Sequence, residues 1–236
     1  GAGISVESSI PDFRSKGGLW ERFDPGLYAS YYTFLEEPHF YWNLERELRT
    51  MIKEVKPNPA HYALLDLEKM GKLTAIITQN IDMLHQAAGS TVDIYELHGS
   101  PAKGHCVHCG KEYSGEAILK KMEQIKDPQS DENVPRCDSC KGLVKFDIVL
   151  FGESLPAGVF SKAEEAASNC DTMLVIGSSL AVAPANMLPM IARTTGASII
   201  LVNLDSPLMD SGADVHVRGK AGEVMPKIIE ALKKIS

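Results

Sequence analysis

Residues 172–203 read TMLVIGSSLAVAPANMLPMIARTTGASIILVN. An apolar run, Thr172 to Ile176, ends in Gly177-Ser178-Ser179. A helical stretch follows from about Ala185 to Thr194, and a second apolar run, Ser198 to Val202, ends in Asn203. Two strand-length apolar runs joined by a helix predict a parallel pair buried on both faces. Outward from this unit the alternation recurs. Val215 to Val217 reads as a short strand and Gly222 to Ile235 as a closing helix. Upstream, Ile148 to Phe151 is a strand ending in Gly152-Glu153, and Val159 to Ser168 a helix. Further back, Leu73 to Ile77 is a strand followed by the polar turn Thr78-Gln79-Asn80. Ile81 to Ala88 reads as a short helix, and Ile94 to Leu97 as a strand ending at His98-Gly99. Asn58 suits the N-cap, Pro59 the first turn and Gly71 the C-terminal stop of one helix. Helical spacing of apolar and aromatic residues predicts another over Glu36 to Val55. Gly1 to Asp24, rich in Gly, Ser, Pro and charge, reads as a long loop, and such loops are usually functional. The pattern predicts an α/β fold with a doubly wound, mostly parallel sheet.

The chain has 236 residues, enough for one large domain or one domain plus a small module. No apolar run reaches the roughly 18 residues of a membrane span. The net charge of -7, with no basic run, argues against duplex DNA as a partner and suits a basic protein tail. The count of five cysteines is odd, which argues against a secreted disulfide scaffold and for a reducing, intracellular, cytoplasmic setting. No signal-peptide pattern is visible. A glycine turn such as Gly1-Ala2-Gly3 normally follows a strand, so we expect the element that it closes to lie ahead of Gly1.

Composition changes between Lys103 and Lys145, which reads as an inserted module. It contains an amphipathic helix, about Glu116 to Ile125, and a charged linker, Lys126 to Asn133. Cys106-x2-Cys109 and Cys137-x2-Cys140 are its chemical signal. Each pair spans a tight turn whose two sulfurs can reach one ion, and four thiolates suit a closed, structural tetrahedral zinc. Iron in a rubredoxin-like site is the alternative metal, and disulfides are the bland alternative. His105 and His108 adjoin the first pair and are left out as ligands. Cys170 reads as a lone thiol at a helix end.

The strand ends carry Gln79-Asn80, His98-Gly99, Gly152-Glu153, Gly177-Ser178-Ser179 and Asn203. In open α/β sheets ligands bind outside the carboxyl ends of the strands. Any one end could be ordinary turn composition, but five together point to a ligand crevice. Gly1-Ala2-Gly3 resembles the start of a phosphate-binding turn, without the third glycine of the usual dinucleotide fingerprint. His98, at a strand end, is placed to act as a general base, since imidazole titrates near neutrality. Asp82 could accept from a ligand amide, or simply serve a helix N-terminus. His85 reads as surface or packing.

In this order, GAGISVESSIPDFRSKGGLW (1–20), TQNIDMLHQAAG (78–89), ELHGS (96–100), the two cysteine pairs, FGESLP (151–156), GSSLAVAPA (177–185) and LVNLD (201–205) resemble the motifs of the sirtuins, the NAD-dependent protein-lysine deacylases. The resemblance covers nearly the whole chain. It implies a Rossmann-like NAD-binding domain (1–100 and 146–236) with a small zinc-ribbon domain inserted (101–145), and part of 14–55 forming a helical cofactor-loop subdomain. NAD, consumed as co-substrate, would lie in the crevice between the domains. Gly1, Ala2 and Gly3 would line its phosphates, with Arg14 near them and Phe13 over the nicotinamide ribose. Gln79 and Asn80 would hold that ribose and order water, with Asn80 sharing the catalytic work. Ile81 and Asp82 would hold the carboxamide. Gly177, Ser178, Ser179, Asn203 and Leu204 would take the adenosine half, with Lys220 and Ala221 near the adenine. His98 would be the base, and Cys106, Cys109, Cys137 and Cys140 the zinc ligands. An acyl-lysine peptide would add as a strand between Val149 to Glu153, including Phe151, Gly152 and Glu153, and Leu180 to Val182. Val149 and Phe151 would line the acyl-lysine tunnel. No membrane and no sequence-specific nucleic-acid partner is expected.

One departure bears on the acyl group. Relatives that remove acidic acyl groups carry a Tyr and, three residues on, an Arg where this chain has Glu45 and Leu48, aligned on Trp42. A Glu there would repel an acyl carboxylate, so neutral acyl groups, acetyl first, are expected. Two other activities fit the same motifs: mono-ADP-ribosyl transfer, and non-catalytic binding of NAD or ADP-ribose.

Overall fold

The computed structural model describes residues 1–125, 129–207 and 212–235. Three short 3-10 turns (Ala2–Ile4, Val6–Ser8 and Leu19–Glu21) punctuate the opening segment that composition reads as loop. Helices α1 (Pro25–Tyr28), α2 (Tyr31–Glu36), α3 (His39–Ile52) and α4 (Pro59–Lys69) follow, then strand β1 (Ala75–Thr78), α5 (Leu84–Ala87) and β2 (Asp93–Glu96). Next come β3 (Gly99–Cys106), β4 (Glu112–Ser114), α6 (Gly115–Glu123) and β5 (Val144–Ile148). The chain closes with α7 (Val159–Asn169), β6 (Thr172–Ile176), α8 (Leu188–Thr194), β7 (Ser198–Asn203), β8 (Val215–Arg218) and α9 (Ala221–Ile235). The first three residues of the charged linker predicted at Lys126 to Asn133 lie outside the described residues.

The chain divides into two compact units: residues 1–12, 55–97 and 157–236, and residues 13–54 and 98–156. In the first unit β1 pairs with β2 in parallel, and β6, β7 and β8 form a parallel sheet in that order. Strand alternation sends neighbouring side chains to opposite faces. Val175, Ile199 and Leu201 join the core that includes Ala163, Ala167 and Leu188 of α7 and α8. Ile176 and Val202 join the core that includes Leu64 of α4 and Met225 of α9. Helices thus cover both faces of the β6–β7–β8 sheet, as the unbroken apolar strands require. The second unit carries the antiparallel sheet β4–β3–β5, with a register shift in β3 between Ser100 and Gly104. Arg46 of α3 donates to the carbonyls of Met122 and Ile125, both at 3.4 Å, so α3 caps the end of α6.

Local signals account for most boundaries. Helix α4 starts at Asn58, whose side chain accepts from Ala60 N, and Gly71 stops it with φ +67°. Gly71 and Lys72 N–H groups bond back to Glu68 and Leu67, the reciprocal pattern of a glycine-stopped helix. The helix expected over Glu36 to Val55 is α3, His39–Ile52: it starts only after Pro38, and Glu36 is the last residue of α2. The helix expected over Ile81 to Ala88 is shorter: Met83 takes φ +59° and Asp82 Oδ1 accepts the Leu84 N–H at 2.9 Å. The strand predicted over Ile148 to Phe151 is displaced: β5 runs Val144–Ile148 and pairs antiparallel with β3, leaving residues 149–151 outside it.

His61, at the third position of α4, accepts from the Asn58 N–H through Nδ1 at 3.2 Å. It is fully buried beside the ring of His85, with centroids 5.1 Å apart. Burial brings each imidazole down to about 4, against the attraction of Asp82. Both therefore fold neutral, and the unfolded chain takes up more protons as pH falls below about 6.5. Stability is full above that range and is lost toward pH 4, by about 2 kcal/mol per histidine between pH 7 and 5. Urea titrations should show this acid limb. His61→Gln keeps an acceptor for the Asn58 N–H and removes one titrating group, so its limb should be about half as steep. An unchanged slope would rule His61 out as a source.

Candidate functional site

In the first unit two glycine turns pack backbone against backbone. The Gly3 N–H donates to the Gly177 carbonyl at 2.9 Å. A Cβ on Gly1 would stand 2.5 Å from that carbonyl oxygen, one on Gly3 2.8 Å from Gly177 Cα, and one on Gly177 2.3 Å from the Ile4 nitrogen. Gly177 also has φ +57°. Only glycine fits at all three positions.

Polar residues at the strand ends fasten this pair. Asn80, after β1, donates from Nδ2 to the Gly1 carbonyl at 3.2 Å and to Ser5 Oγ at 3.3 Å. Ser5 Oγ donates to Asp82 Oδ2 at 2.6 Å. Asn203, at the end of β7, donates to the carbonyls of Ser178 and Asp205. Ser178 Oγ accepts from Leu180 N at 3.2 Å. At the head of α9, Glu7 accepts the Gly222 N–H at 2.5 Å, so a side chain of the opening segment serves that helix end beside Ala221. Gly1, Gly3, Asn80, Asp82, Gly177, Ser178 and Asn203 thus belong to one bonded cluster. Leu204 stands 60 % exposed, and Lys220 pairs at the surface with Glu223 at 3.6 Å. Ser5 and Glu7 were not singled out from sequence. Both lie within the opening motif, and only their partners, far away in the chain, reveal their work.

Ala2, Gln79, Ile81, Ser179, Leu180 and Val182 also lie in the first unit, whereas Phe13, Arg14, His98, residues 149–153 and the four cysteines lie in the second. His98 immediately precedes β3, and its carbonyl accepts the Val149 N–H at 2.9 Å. Gly99 has φ +71°, and a Cβ there would lie 1.9 Å from the Asp147 carbonyl oxygen, so the histidine sits where two backbones touch. Phe13 packs its ring 4.9 Å from that of Trp20, and Arg14 is exposed. The segment after β5 is held on several sides. Leu150 N donates to Glu153 Oε2 at 2.9 Å, Phe151 N to the Ala29 carbonyl at 2.8 Å, and Tyr31 N to the Phe151 carbonyl at 3.0 Å. Gly152 has φ +94° and packs against the ring of Tyr32. Phe151 is 47 % exposed.

Glu45 is not a free carboxylate. It is buried and accepts from Arg49 Nε at 3.1 Å. Burial pushes its carboxyl up, opposed by Arg49 and by Lys145. Leu48 is buried as well.

The four Sγ atoms of Cys106, Cys109, Cys137 and Cys140 all lie within 4.8 Å of one another. Two of the separations are 3.5 and 3.7 Å. A zinc at about 2.3 Å from each sulfur needs tetrahedral edges of about 3.8 Å, so this cage fits that ion. Both turns have the same build: Gly110 N bonds to the Cys106 carbonyl and Lys141 N to that of Cys137, with positive φ at Gly110 and Lys141. A Cβ on Gly142 would lie 3.1 and 3.2 Å from the sulfurs of Cys106 and Cys140. The Tyr113 hydroxyl donates to Cys137 Sγ at 3.2 Å and draws that thiol down to about 5, toward the thiolate a metal needs. His105 instead pairs with Asp147 at 2.6 Å. Among the described residues this is the only cluster of three or more His, Cys, Asp or Glu side chains placed to share an ion.

The Sir2 family model matches residues 1–184. The chain belongs to the Sir2 family. An NAD-dependent protein deacylase 2 of Archaeoglobus fulgidus is 46 % identical over the whole chain and 90 % of its own length. An NAD-dependent protein deacetylase 1 of Pyrobaculum aerophilum is 42 % identical over 99 % of this chain and 88 % of its own. A structure described under the mechanism and regulation of Sir2 enzymes superposes with a TM-score of 0.91 at 44 % identity, covering 100 % of this chain and 91 % of that one. A Sir2 complex with a p53 peptide and NAD superposes with a TM-score of 0.86 at 36 % identity, covering 100 % and 91 %. The fold of this Sir2 protein is accordingly Rossmann-like with a zinc-binding module.

Metal analysis of the purified Sir2 protein should find one zinc per chain and no iron colour. Cys109→Ser should lose the metal and lower the melting temperature. Gly142→Ala, which crowds two sulfurs, should release zinc to a chelator faster than wild type. Full metal retention in Cys109→Ser would refute the four-sulfur site.

Proposed function

We propose that this Sir2 protein transfers the acyl group of an acyl-lysine to the ADP-ribose half of NAD, releasing nicotinamide, free lysine and O-acyl-ADP-ribose. The observation that carries the reading is the family match over residues 1–184, which spans Gly1, Gly3, Asn80, Asp82, Gly177, Ser178 and His98. Enzymes named NAD-dependent protein deacylases and deacetylases match nearly the whole chain at 39–46 % identity. Thiolate ligation of zinc suits a reducing, cytoplasmic home for the protein. No helix among the described residues is long and apolar enough to cross a membrane.

The chemistry asks for position and for a base. An amide oxygen is a weak nucleophile, so the acyl-lysine must be held against the anomeric carbon of the ribose. As that bond forms, the bond to nicotinamide breaks and the ring leaves with the electron pair. Asp82 is our candidate for holding the carboxamide. Ser5 and the Leu84 N–H orient its carboxylate, which leaves lone pairs for an amide donor. Asn80 orders the ribose side from the Gly1–Ser5 turn. His98 takes a proton from the ribose hydroxyls, one of which attacks the imidate carbon, and water then completes release of the lysine. Gly1, Ala2, Gly3 and Arg14 serve the phosphates, and Phe13 covers the nicotinamide ribose. Gln79, Ile81, Gly177, Ser178, Ser179, Asn203, Leu204, Lys220 and Ala221 complete the nucleotide contacts. Val149, Phe151, Gly152, Glu153, Leu180 and Val182 supply the peptide edge. Arg49 already has its charge matched by Glu45, which favours neutral acyl groups over acidic ones.

With NAD and an acetyl-lysine peptide, mass spectrometry should find nicotinamide, deacetylated peptide and O-acetyl-ADP-ribose in equal amounts. Nicotinamide without deacetylation would favour ADP-ribosyl transfer, and ligand binding without turnover a binding module. His98→Ala should cut turnover about a thousandfold while ADP-ribose still binds. Loss of both together would remove His98 as the base.

The acetyl peptide should turn over faster than its succinyl counterpart. The reverse order would overturn the neutral-acyl preference.

A further inference from the structure

Lys145 lies in β5, within the run Val144-Lys145-Phe146-Asp147-Ile148, and only 2 % of it is exposed. A lysine is almost never buried without partners. Its ammonium donates to the carbonyls of Phe146 at 3.1 Å and Ile148 at 2.8 Å, and pairs with Glu153 Oε2 at 3.2 Å. Residues 146 and 148 point their backbone groups to the same edge of the strand. Among the described residues no named strand but β3 pairs with β5. At the start of the free edge the Val144 N–H bonds to the Pro135 carbonyl at 3.3 Å, and from Phe146 onward side chains cover it. Tyr41 accepts the Phe146 N–H at 3.2 Å, Lys145 takes the two carbonyls, and Glu153 takes the Leu150 N–H.

The ammonium is therefore a joint. Toward the strand it holds the last carbonyls of β5. Toward the loop it holds the one carboxylate oxygen that closes the Leu150–Glu153 turn, whose return bond runs from Glu153 N to the Leu150 carbonyl at 3.0 Å. The Val149 N–H between these anchors carries the bond to the His98 carbonyl. No apolar side chain could make these contacts, and burying the charge is tolerable only because all three are made.

We propose that Lys145 is a positioning residue for the acyl-lysine peptide: through Glu153 it sets the shape of residues 149–153 before substrate arrives. The role rests on the deacylase reading, in which those residues form the peptide edge. It predicts a loss confined to one substrate, because the bonds given for Lys145 run to Phe146, Ile148 and Glu153.

The test uses the zinc-loaded protein and two probes. Anisotropy of a fluorescent acetyl-lysine peptide reports the peptide edge, and calorimetry with ADP-ribose reports the nucleotide cluster. Lys145→Met should weaken peptide binding by about tenfold or more and leave ADP-ribose affinity and zinc content unchanged. Lys145→Arg should restore most of the peptide affinity. If Lys145→Met does not fold, Lys145→Gln carries the test, since its amide keeps a donor for the strand carbonyls and removes the ion pair with Glu153. It too should weaken the peptide alone. Peptide affinity that stays at the wild-type value, or that falls in step with ADP-ribose affinity, would overturn the positioning role. Wild-type protein that binds ADP-ribose but no acyl peptide would instead overturn the deacylase reading, and this role with it.

Discussion

The contact between the Gly1–Gly3 turn and Gly177 is the constraint on which the polar cluster of the first unit depends. It is a hydrogen bond of 2.9 Å between two backbones with no side chain between them. That closeness fixes what may surround it. Asn80 can reach the Gly1 carbonyl only because the turn lies down on Gly177, and Asn203 can hold the Ser178 carbonyl only because Ser178 follows it. Asn58 continues the same logic from α4, with Nδ2 bonded to the Ile4 carbonyl at 2.7 Å and to Ser8 Oγ at 3.0 Å. An opening segment that composition reads as a loop is in fact tied down along its first eight residues. On the proposed reading, such pre-ordering would lower the entropic cost of gripping a flexible dinucleotide.

The second unit solves a different problem with different means. Its sheet is small, and its helices α1 to α3 are short or amphipathic. It has a buried aromatic group of Phe34, Tyr41, Trp42 and Phe146, and a thiolate cage in place of a second core. A metal adds folding energy without adding apolar area, which suits a module that cannot bury much. The burial of Glu45, Tyr41 and Lys145 beside those aromatics is costly unless their polar atoms are matched, and Arg49 Nη2 beside them has no hydrogen-bond partner among the described residues. The hydrogen bonds of Lys145 and Glu153 show how tightly the matching is done around the segment that precedes Gly152.

Much of this was legible in the sequence, for reasons that differ by element. The parallel strands announced themselves because unbroken apolar runs have few alternatives in a soluble chain. The zinc cage was legible because two close cysteine pairs carry their own geometry. Helix α4 could be read to the residue, since Asn58, Pro59 and Gly71 each do one local job. What escaped was contact at long range. Ser5 meets Asp82 across 77 residues of chain, and Glu7 meets Gly222 across 215. No local pattern encodes either pairing. The helix drawn from Glu36 began too early, because apolar spacing outvoted Pro38, after which α3 starts.

Lys145 is the instructive middle case. A charged residue set in Val144-Lys145-Phe146 looks like the solvent face of an alternating strand, and alternation would send it outward. In the fold it lies inside because β5 is an edge, and an edge needs donors and acceptors that the strand cannot supply to itself. A lysine stem is long enough to lie against apolar neighbours while its ammonium turns back onto the backbone. An exposed edge would invite any extended chain to pair with it. Tyr41, Lys145 and Glu153 close that edge from Phe146 onward. On the proposed reading, in which residues 149–153 take up an extended peptide, a blocked edge beside an ordered segment would itself be a form of selectivity.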